Sequence, residues 1–196
     1  MPTSKPSKTK FKSSTDEFDE DSPRLTIPVL AERDHVQGSI NAPLTLVEYG
    51  DYQCPYCGAA YPEVKKVQKR LGSKLRFVFR NFPITSSHEF AERAAEIAEG
   101  SAAGGKFWEM HDFLYEHQDL LGDVDAILEF ASSLGLDAAS MREEIANHTY
   151  LARIKEDFNG GIRSGVNGTP TFFINGTRYN GLPAANELIA MLESST

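Results

Sequence analysis

The stretch Leu44-Thr45-Leu46-Val47-Glu48-Tyr49-Gly50-Asp51-Tyr52-Gln53-Cys54-Pro55-Tyr56-Cys57-Gly58 decides the fold. Leu44 to Tyr49 is a short apolar, β-prone run that Gly50 brings to an end. Beyond Cys57 the apolar residues Val64, Val67 and Leu71 recur at helical spacing, and Gly72 is placed to cap that helix. Pro62 falls inside it and is expected to kink it. The chain's two cysteines therefore stand together at a strand-to-helix junction. A cysteine at a helix N-terminus faces unsatisfied N–H groups and the positive end of the macrodipole, both of which favour the thiolate. That geometry makes Cys54 the nucleophile. Cys57, one turn further in, is the resolving thiol.

Three other uses of the pair are weaker. A disulfide closing so short a loop would stabilise the fold by only about 2 kcal/mol in the chain-entropy model. A structural zinc ion needs four ligands, and no second Cys-x-x-Cys or close histidine pair supplies the rest. Two inert buried thiols would not account for their place at the junction.

Working outward, Leu75-Arg76-Phe77-Val78-Phe79-Arg80-Asn81 reads as a second strand, bounded by Pro83. Strand, helix and strand in this order give a βαβ unit with parallel strands. A helical block follows, over about residues 86–165. Ser86 and Glu89 form a capping box ahead of Phe90, Ala94, Ile97 and Ala98. Phe107, Met110, His111, Leu114 and Tyr115 make a second stripe, and Val124, Ile127, Leu128, Ala131 and Leu134 a third. A short helix is expected over Ala139–Ala146, and Leu151, Ile154, Phe158 and Ile162 mark a long last one. The five histidines show no catalytic spacing and read as helix or surface residues. Thr171 to Ile174 and Thr177 to Asn180 flank Asn175-Gly176, the strongest short signal for a β-hairpin. Pro183 then opens a final helix carrying Leu188, Ile189 and Leu192. Residues 36–43 read as a connecting loop.

The 196 residues, 40% of them hydrophobic, suffice for one sizeable core. A net charge of −8 argues against nucleic acid or an anionic membrane surface as a partner. No run approaches the ~18 apolar residues of a membrane span, and the N-terminus lacks the apolar core of a secretory signal. A cytoplasmic protein is expected, and cytosolic thiols are held reduced, which favours a working pair over a permanent bond. Residues 1–25 carry Lys5, Lys8, Lys10 and Lys12, then Asp16, Glu17, Asp19, Glu20 and Asp21, among Ser, Thr and Pro. This composition buries too little apolar surface to offset ordering entropy, so a disordered tail is expected ahead of one domain at 36–196.

These residues resemble the thioredoxin superfamily, specifically its DsbA-like branch, in which a helical domain is inserted between a βαβ half and a ββα half. The resemblance is carried by Glu48 to Cys57, by Gly168-Thr169-Pro170-Thr171-Phe172-Phe173-Ile174-Asn175-Gly176, and by Gly105 to Asp112. It implies an α/β thioredoxin-like fold with an all-helical insertion. It further implies a cis Thr169–Pro170 bond facing Cys54, with the Thr169 backbone free to pair with an extended substrate and Pro55, Tyr56 and Pro170 beside it. Glu48 matches an acidic residue that exchanges a proton with the resolving thiol. The most oxidising members carry a histidine where this chain has Tyr56. Pro-Tyr between the cysteines is typical of glutaredoxins, so a less acidic Cys54 and an intermediate reduction potential are implied.

The expected activity is thiol–disulfide exchange with protein or peptide disulfides and thiols, glutathione being a further candidate partner, and with no metal or organic cofactor. The oligomeric state is not legible. A peptide-binding chaperone or a disulfide isomerase using the same groove is the alternative. A glutathione transferase of the kappa type is disfavoured because such proteins carry a serine in place of the pair. A redox-inactive adaptor docking through the charged tail is the remaining rival.

Overall fold

A computed structural model describes residues 22–195. Its elements in chain order are β1 (His35–Gln37), β2 (Leu44–Gly50), α1 (Pro55–Leu71), β3 (Leu75–Asn81), α2 (Ala91–Ala103), α3 (Phe107–Glu116), α4 (Val124–Ser133), α5 (Ala138–Ala146), α6 (Leu151–Arg163), β4 (Thr171–Ile174), β5 (Thr177–Tyr179) and α7 (Ala185–Ser194). The strands form one sheet in the order β1-β3-β2-β4-β5. Strands β2 and β3 run parallel with Glu48 opposite Phe79, whereas β4 pairs antiparallel to β2 with Phe172 opposite Glu48. The expected βαβ and ββα halves are thus present, and α2 to α6 form the helical block between them.

Every residue of β2 is buried, as suits a central strand covered on both faces. Side chains alternate between those faces. Leu44 and Leu46 join Cys57, Phe77, Phe79, Tyr115 and Leu188 in the larger core, beneath α1, α3 and α7. Val47 and Tyr49 join Val78, Phe82 and Phe173 in the smaller one. Each fully buried Leu, Val or Phe here contributes about 1.5–3 kcal/mol. Glu48 lies on the larger-core face by this alternation, an ionisable group in an apolar layer. At the end of α1, Gly72 adopts φ 51° and its N–H bonds to the Gln68 carbonyl, as its placement after Leu71 predicts. Helix α1 continues through Pro62 to Leu71.

Four expectations need correction. The loop read over residues 36–43 begins with edge strand β1, antiparallel to β3; its three residues are too few to show an alternation. The Ser86/Glu89 box caps nothing, because α2 starts at Ala91 without a side-chain cap. Residues 84–88 instead form a turn in which the Ser87 and His88 N–H groups both bond to the Ile84 carbonyl. On α6, Ile162 points outward, and the buried residues are Ile154, Asp157, Gly160 and Gly161. The glycines explain this: a Cβ at Gly161 would lie 2.8 Å from the Phe82 ring and 3.0 Å from Tyr49, so the helix approaches the sheet through its missing side chains. Lastly, α7 opens at Ala185, two residues after Pro183.

The expected tail falls largely on residues 1–21, which lie outside the described residues. Its last residues, 22–25, are not loose. Arg24 bridges Thr177, the Leu25 N–H bonds to the Gly176 carbonyl at 2.8 Å, and the Arg178 N–H bonds to the Pro23 carbonyl at 2.9 Å. The domain therefore begins before residue 36, as an N-terminal segment laid along the open edge of β5.

Candidate active site

Cys54 is the residue immediately before α1, with φ −67° and ψ 121°, and Pro55 occupies the first helical position. Proline suits that position, where an N–H would lack a helical partner and φ is already correct. The Cys54 N–H bonds to the Asp51 carbonyl at 3.1 Å, and the Gly58 N–H closes the first helical turn onto the Cys54 carbonyl at 3.0 Å. Asp51 fixes the loop from beneath. Its Oδ1 accepts from the Gln53 N–H at 2.8 Å, and its Oδ2 accepts from the Ile84 N–H and lies 2.8 Å from His88 Nδ1.

Both cysteines are free thiols. The Cys54 thiol donates to the Thr169 carbonyl at 3.3 Å, which brings the second motif against the first. The Thr169–Pro170 bond is cis, as the resemblance implies. The Cys57 thiol, by hydrogen bonding to the Cys54 sulfur, lowers the Cys54 pKa to about 5. Burial opposes this, while the Thr169 side chain and the N–H groups of Cys57 and Tyr56 add to it. Cys57 goes the other way: burial, then its bond to Cys54 and the charges of Glu48 and Cys54, push its pKa well above the usual thiol value. The two sulfurs are thus differentiated as an acidic nucleophile and a buried, protonated partner.

Glu48 is 2% exposed, and its Oε1 has no hydrogen-bond partner among the described residues. Burial first, and then the Cys54 charge, raise its pKa to about 8. A carboxyl titrating near neutrality beside the thiols is suited to proton exchange. Although it stands on a strand, Glu48 does not reach solvent. Tyr56, where a histidine would add a cation, is 75% exposed and supplies only its N–H to the sulfur. Pro55 is exposed, and Thr169 and Pro170 are half-buried. Next to Pro170 a cavity of about 200 Å³ is lined by Thr171, Phe172, Arg178, Asn180 and Pro183, among others.

The structure adds residues that pattern reading missed. Gln118, just after α3, donates from Nε2 to the carbonyls of Tyr52 at 2.7 Å and Cys54 at 3.1 Å, tying the helical block to the redox loop. Tyr52 and His111 are both buried, with the Tyr52 hydroxyl 3.1 Å from His111 Nδ1. Burial lowers the His111 pKa to about 3, so it stays neutral. His111 and Tyr115 lay on a stripe read as core, which they are. Only their polar atoms set them apart, and helical spacing carries no signal for those. Among the described residues no cluster of His, Cys, Asp and Glu is arranged to hold a metal ion.

The thioredoxin family model matches residues 30–194. A Na(+)/H(+) antiporter NhaA 1 of Salinispora arenicola is 44% identical over 171 residues, which are 87% of this chain and 26% of the relative. The chain thus spans about a quarter of the length of the curated relatives it matches. Among solved structures, oxidised BdbD from Bacillus subtilis superposes with a TM-score of 0.77 at 23% identity, covering 88% of this chain and 96% of that one. Alpha-DsbA1 of Wolbachia pipientis superposes with a TM-score of 0.72 at 18% identity, covering 87% and 93%. The helical block between the two halves of the sheet is the fold shared with BdbD and alpha-DsbA1, and on the family match the chain belongs to the thioredoxin family.

Proposed function

We propose that the chain is a thiol–disulfide oxidoreductase acting on protein or peptide thiols, with Cys54 as nucleophile and Cys57 as resolving thiol. The carrying observation is the placement of the two sulfurs: Cys54 caps the N-terminus of α1 and meets the Thr169 carbonyl beside the cis Pro170, while Cys57 is fully buried beneath it, which leaves Cys54 the acidic thiol and Cys57 the protonated one. In the reducing direction the Cys54 thiolate attacks a substrate disulfide, forming one S–S bond and releasing one substrate thiolate. Cys57 then loses its proton to Glu48 and attacks Cys54, expelling the second substrate thiolate. Two electrons pass from the protein pair to the substrate. In reverse, a substrate thiolate attacks the Cys54–Cys57 disulfide at Cys54, protonated Glu48 supplies the proton to the departing Cys57, and a second substrate thiolate attacks the substrate sulfur of the mixed disulfide, forming the substrate disulfide and expelling Cys54 as a thiolate. The stabilised Cys54 thiolate is a good leaving group and favours the dithiol form, so the pair draws electrons from substrate thiols wherever its surroundings return it to the disulfide, and rests as the dithiol where they are reducing. An extended peptide would lie against the Thr169 backbone and the cavity beside Pro170. Glutathione would enter as a small partner at the same sulfur.

We assign the segment shared with the antiporters this redox role, not the ion exchange in their name, because it is the Cys54–Cys57 site that this chain carries. A cytoplasmic setting belongs to the same reading, since both cysteines are in the working pair and none is left for a structural bridge. Trapping the thiol state in fractionated cells tests it. The activity itself is tested by equilibrating the protein in glutathione buffers and following oxidation of a dithiol peptide. A pair that stays reduced in excess oxidised glutathione, with no peptide turnover, would end the proposal.

A further inference from the structure

Beneath the cysteines, the larger-core face of β2 holds two buried polar atoms, Glu48 Oε1 and the Tyr115 hydroxyl, and neither has a hydrogen-bond partner among the described residues. Buried polar groups are rarely left so, and an orphan at a reactive site calls for a chemical explanation. Their placement is specific. Gly50 follows Glu48 by two residues and so shares its face of the strand. A Cβ at Gly50 would lie 2.7 Å from the Tyr115 hydroxyl and 2.4 Å from the Phe79 ring. The phenol therefore reaches the main chain of β2 only because residue 50 has no side chain. Its ring is fixed by Tyr52, Phe79, Tyr61 and His111, at centroid distances of 4.9, 6.1, 5.4 and 5.1 Å. Burial, then the charges of Cys57 and Glu48, push its ionisation far up, so it keeps its proton and can only donate to a neighbouring anion.

We propose that Tyr115 is a positioning residue: the two atoms do not bond each other in this structure, and when the Glu48 carboxyl ionises it turns along the shared strand face to accept a hydrogen bond from the Tyr115 hydroxyl, which holds it charged beside the thiols during the resolving step. The inference rests on the proton-exchange role given to Glu48 above. In that step the Cys57 proton passes to Glu48, the Cys57–Cys54 bond forms, and the Cys54–substrate bond breaks with its electron pair leaving on the substrate sulfur, which takes a proton from solvent. Tyr115 gains and loses nothing. The other titratable groups around Glu48 are Cys54 just before α1, Cys57 on α1, Asp51 and Tyr52 in the loop, and His111 on α3, with Lys65, His35, Asp112 and Glu99 acting on them from further out.

The test is single-turnover resolution of a mixed disulfide between Cys54 and thionitrobenzoate, followed across pH in the parent, Tyr115→Phe, Glu48→Gln and the double variant. In Tyr115→Phe the carboxylate loses a donor, so the rising limb should move to higher pH. Resolution should be about tenfold slower at pH 7 and return to the parent rate at high pH, as a hydrogen bond to a charged group implies. In the Glu48→Gln background the phenylalanine change should add nothing. A parent-like profile in Tyr115→Phe, with Glu48→Gln slowed, overturns the role of Tyr115 alone. Slowing that is equal at all pH values, or that persists in the double variant, overturns it too, by showing a packing effect. A parent-like profile in Glu48→Gln removes the proton-exchange reading and the inference with it.

Discussion

Gln118 reaches from the helical block to the nucleophilic cysteine's own main chain, its side-chain amide donating to the Cys54 carbonyl at 3.1 Å and to the Tyr52 carbonyl at 2.7 Å. The insertion therefore holds the redox loop in shape. Gly58 makes room for this contact, since a Cβ there would lie 2.2 Å from Gln118 Oε1. Gln118→Ala should cost about 1–2 kcal/mol of stability for the lost bonds and lower the exchange rate several-fold. Gly58→Ala should do the same, although alanine is the better helix former by about 1 kcal/mol. Thermal unfolding and peptide-oxidation rates check both. A Gly58→Ala variant that is more stable and fully active would show that the Gln118 contact is dispensable.

The two cysteines should separate cleanly by mutation. Cys54→Ser should abolish exchange. Cys57→Ser keeps the acidic nucleophile but removes the resolving attack, so it should accumulate mixed disulfides visible on non-reducing gels. Cys57→Ala, which unlike serine removes the donor to the Cys54 sulfur, the first cause of the low Cys54 pKa, should also make Cys54 alkylate more slowly at pH 6 than in the parent. Adducts trapped by Cys54→Ser alone would reverse the roles.

Stability should depend on pH through two groups of opposite sign. The Cys54 pKa is about 5 folded against 9.0 as the reference. Between these values the unfolded chain binds the extra proton, so this group's contribution grows as pH rises from 5 to 9 and is lost as pH falls through 5. Glu48 is the reverse, at about 8 folded against 4.5. The folded state binds the extra proton, and its contribution falls as pH rises from 4.5 to 8. Glu48→Gln removes only the second term. Its melting temperature relative to the parent should therefore climb steadily between pH 5 and pH 8 under reducing conditions, and a difference independent of pH would contradict the burial of a titrating Glu48.

The parts of this arrangement legible in the sequence were those with strong local chemistry: the strand-to-helix turn at Cys54, the Gly72 cap, and Asn175-Gly176, where Asn175 takes φ 48° and Gly176 φ 85°. What escaped depends on contacts distant in sequence. Gln118 is an ordinary polar residue after a helix until the fold sets it against Cys54. Ile162 was read as core by spacing alone, but the close approach of Gly160 and Gly161 rotates the buried face away from it. Edge strand β1 and the N-terminal segment have too little apolar content to be seen without the sheet edge that receives them.

That segment should matter more than its composition suggests. Arg80 is fully buried, and its guanidinium is held by Asp34 through Nε–Oδ1 at 2.8 Å and Nη2–Oδ2 at 3.0 Å. It also donates to the Ile27 and Pro28 carbonyls at 3.0 and 3.1 Å. These contacts hold its basicity above the usual arginine value although burial works against it. Residues 22–34 thus neutralise and saturate a charge that β3 carries into the core. Removing residues 1–21 takes away none of these partners and should leave the melting temperature nearly unchanged. Removing residues 1–30 strips the two carbonyls and the pairing with β5, and should destabilise strongly. Asp34→Ala leaves Arg80 buried without its counter-charge, which costs about 3–5 kcal/mol, or roughly 10 °C for a domain of this size. Calorimetry of the three variants checks the ranking. If removal of residues 1–30 were as harmless as removal of residues 1–21, Arg80 would have to find its partners elsewhere.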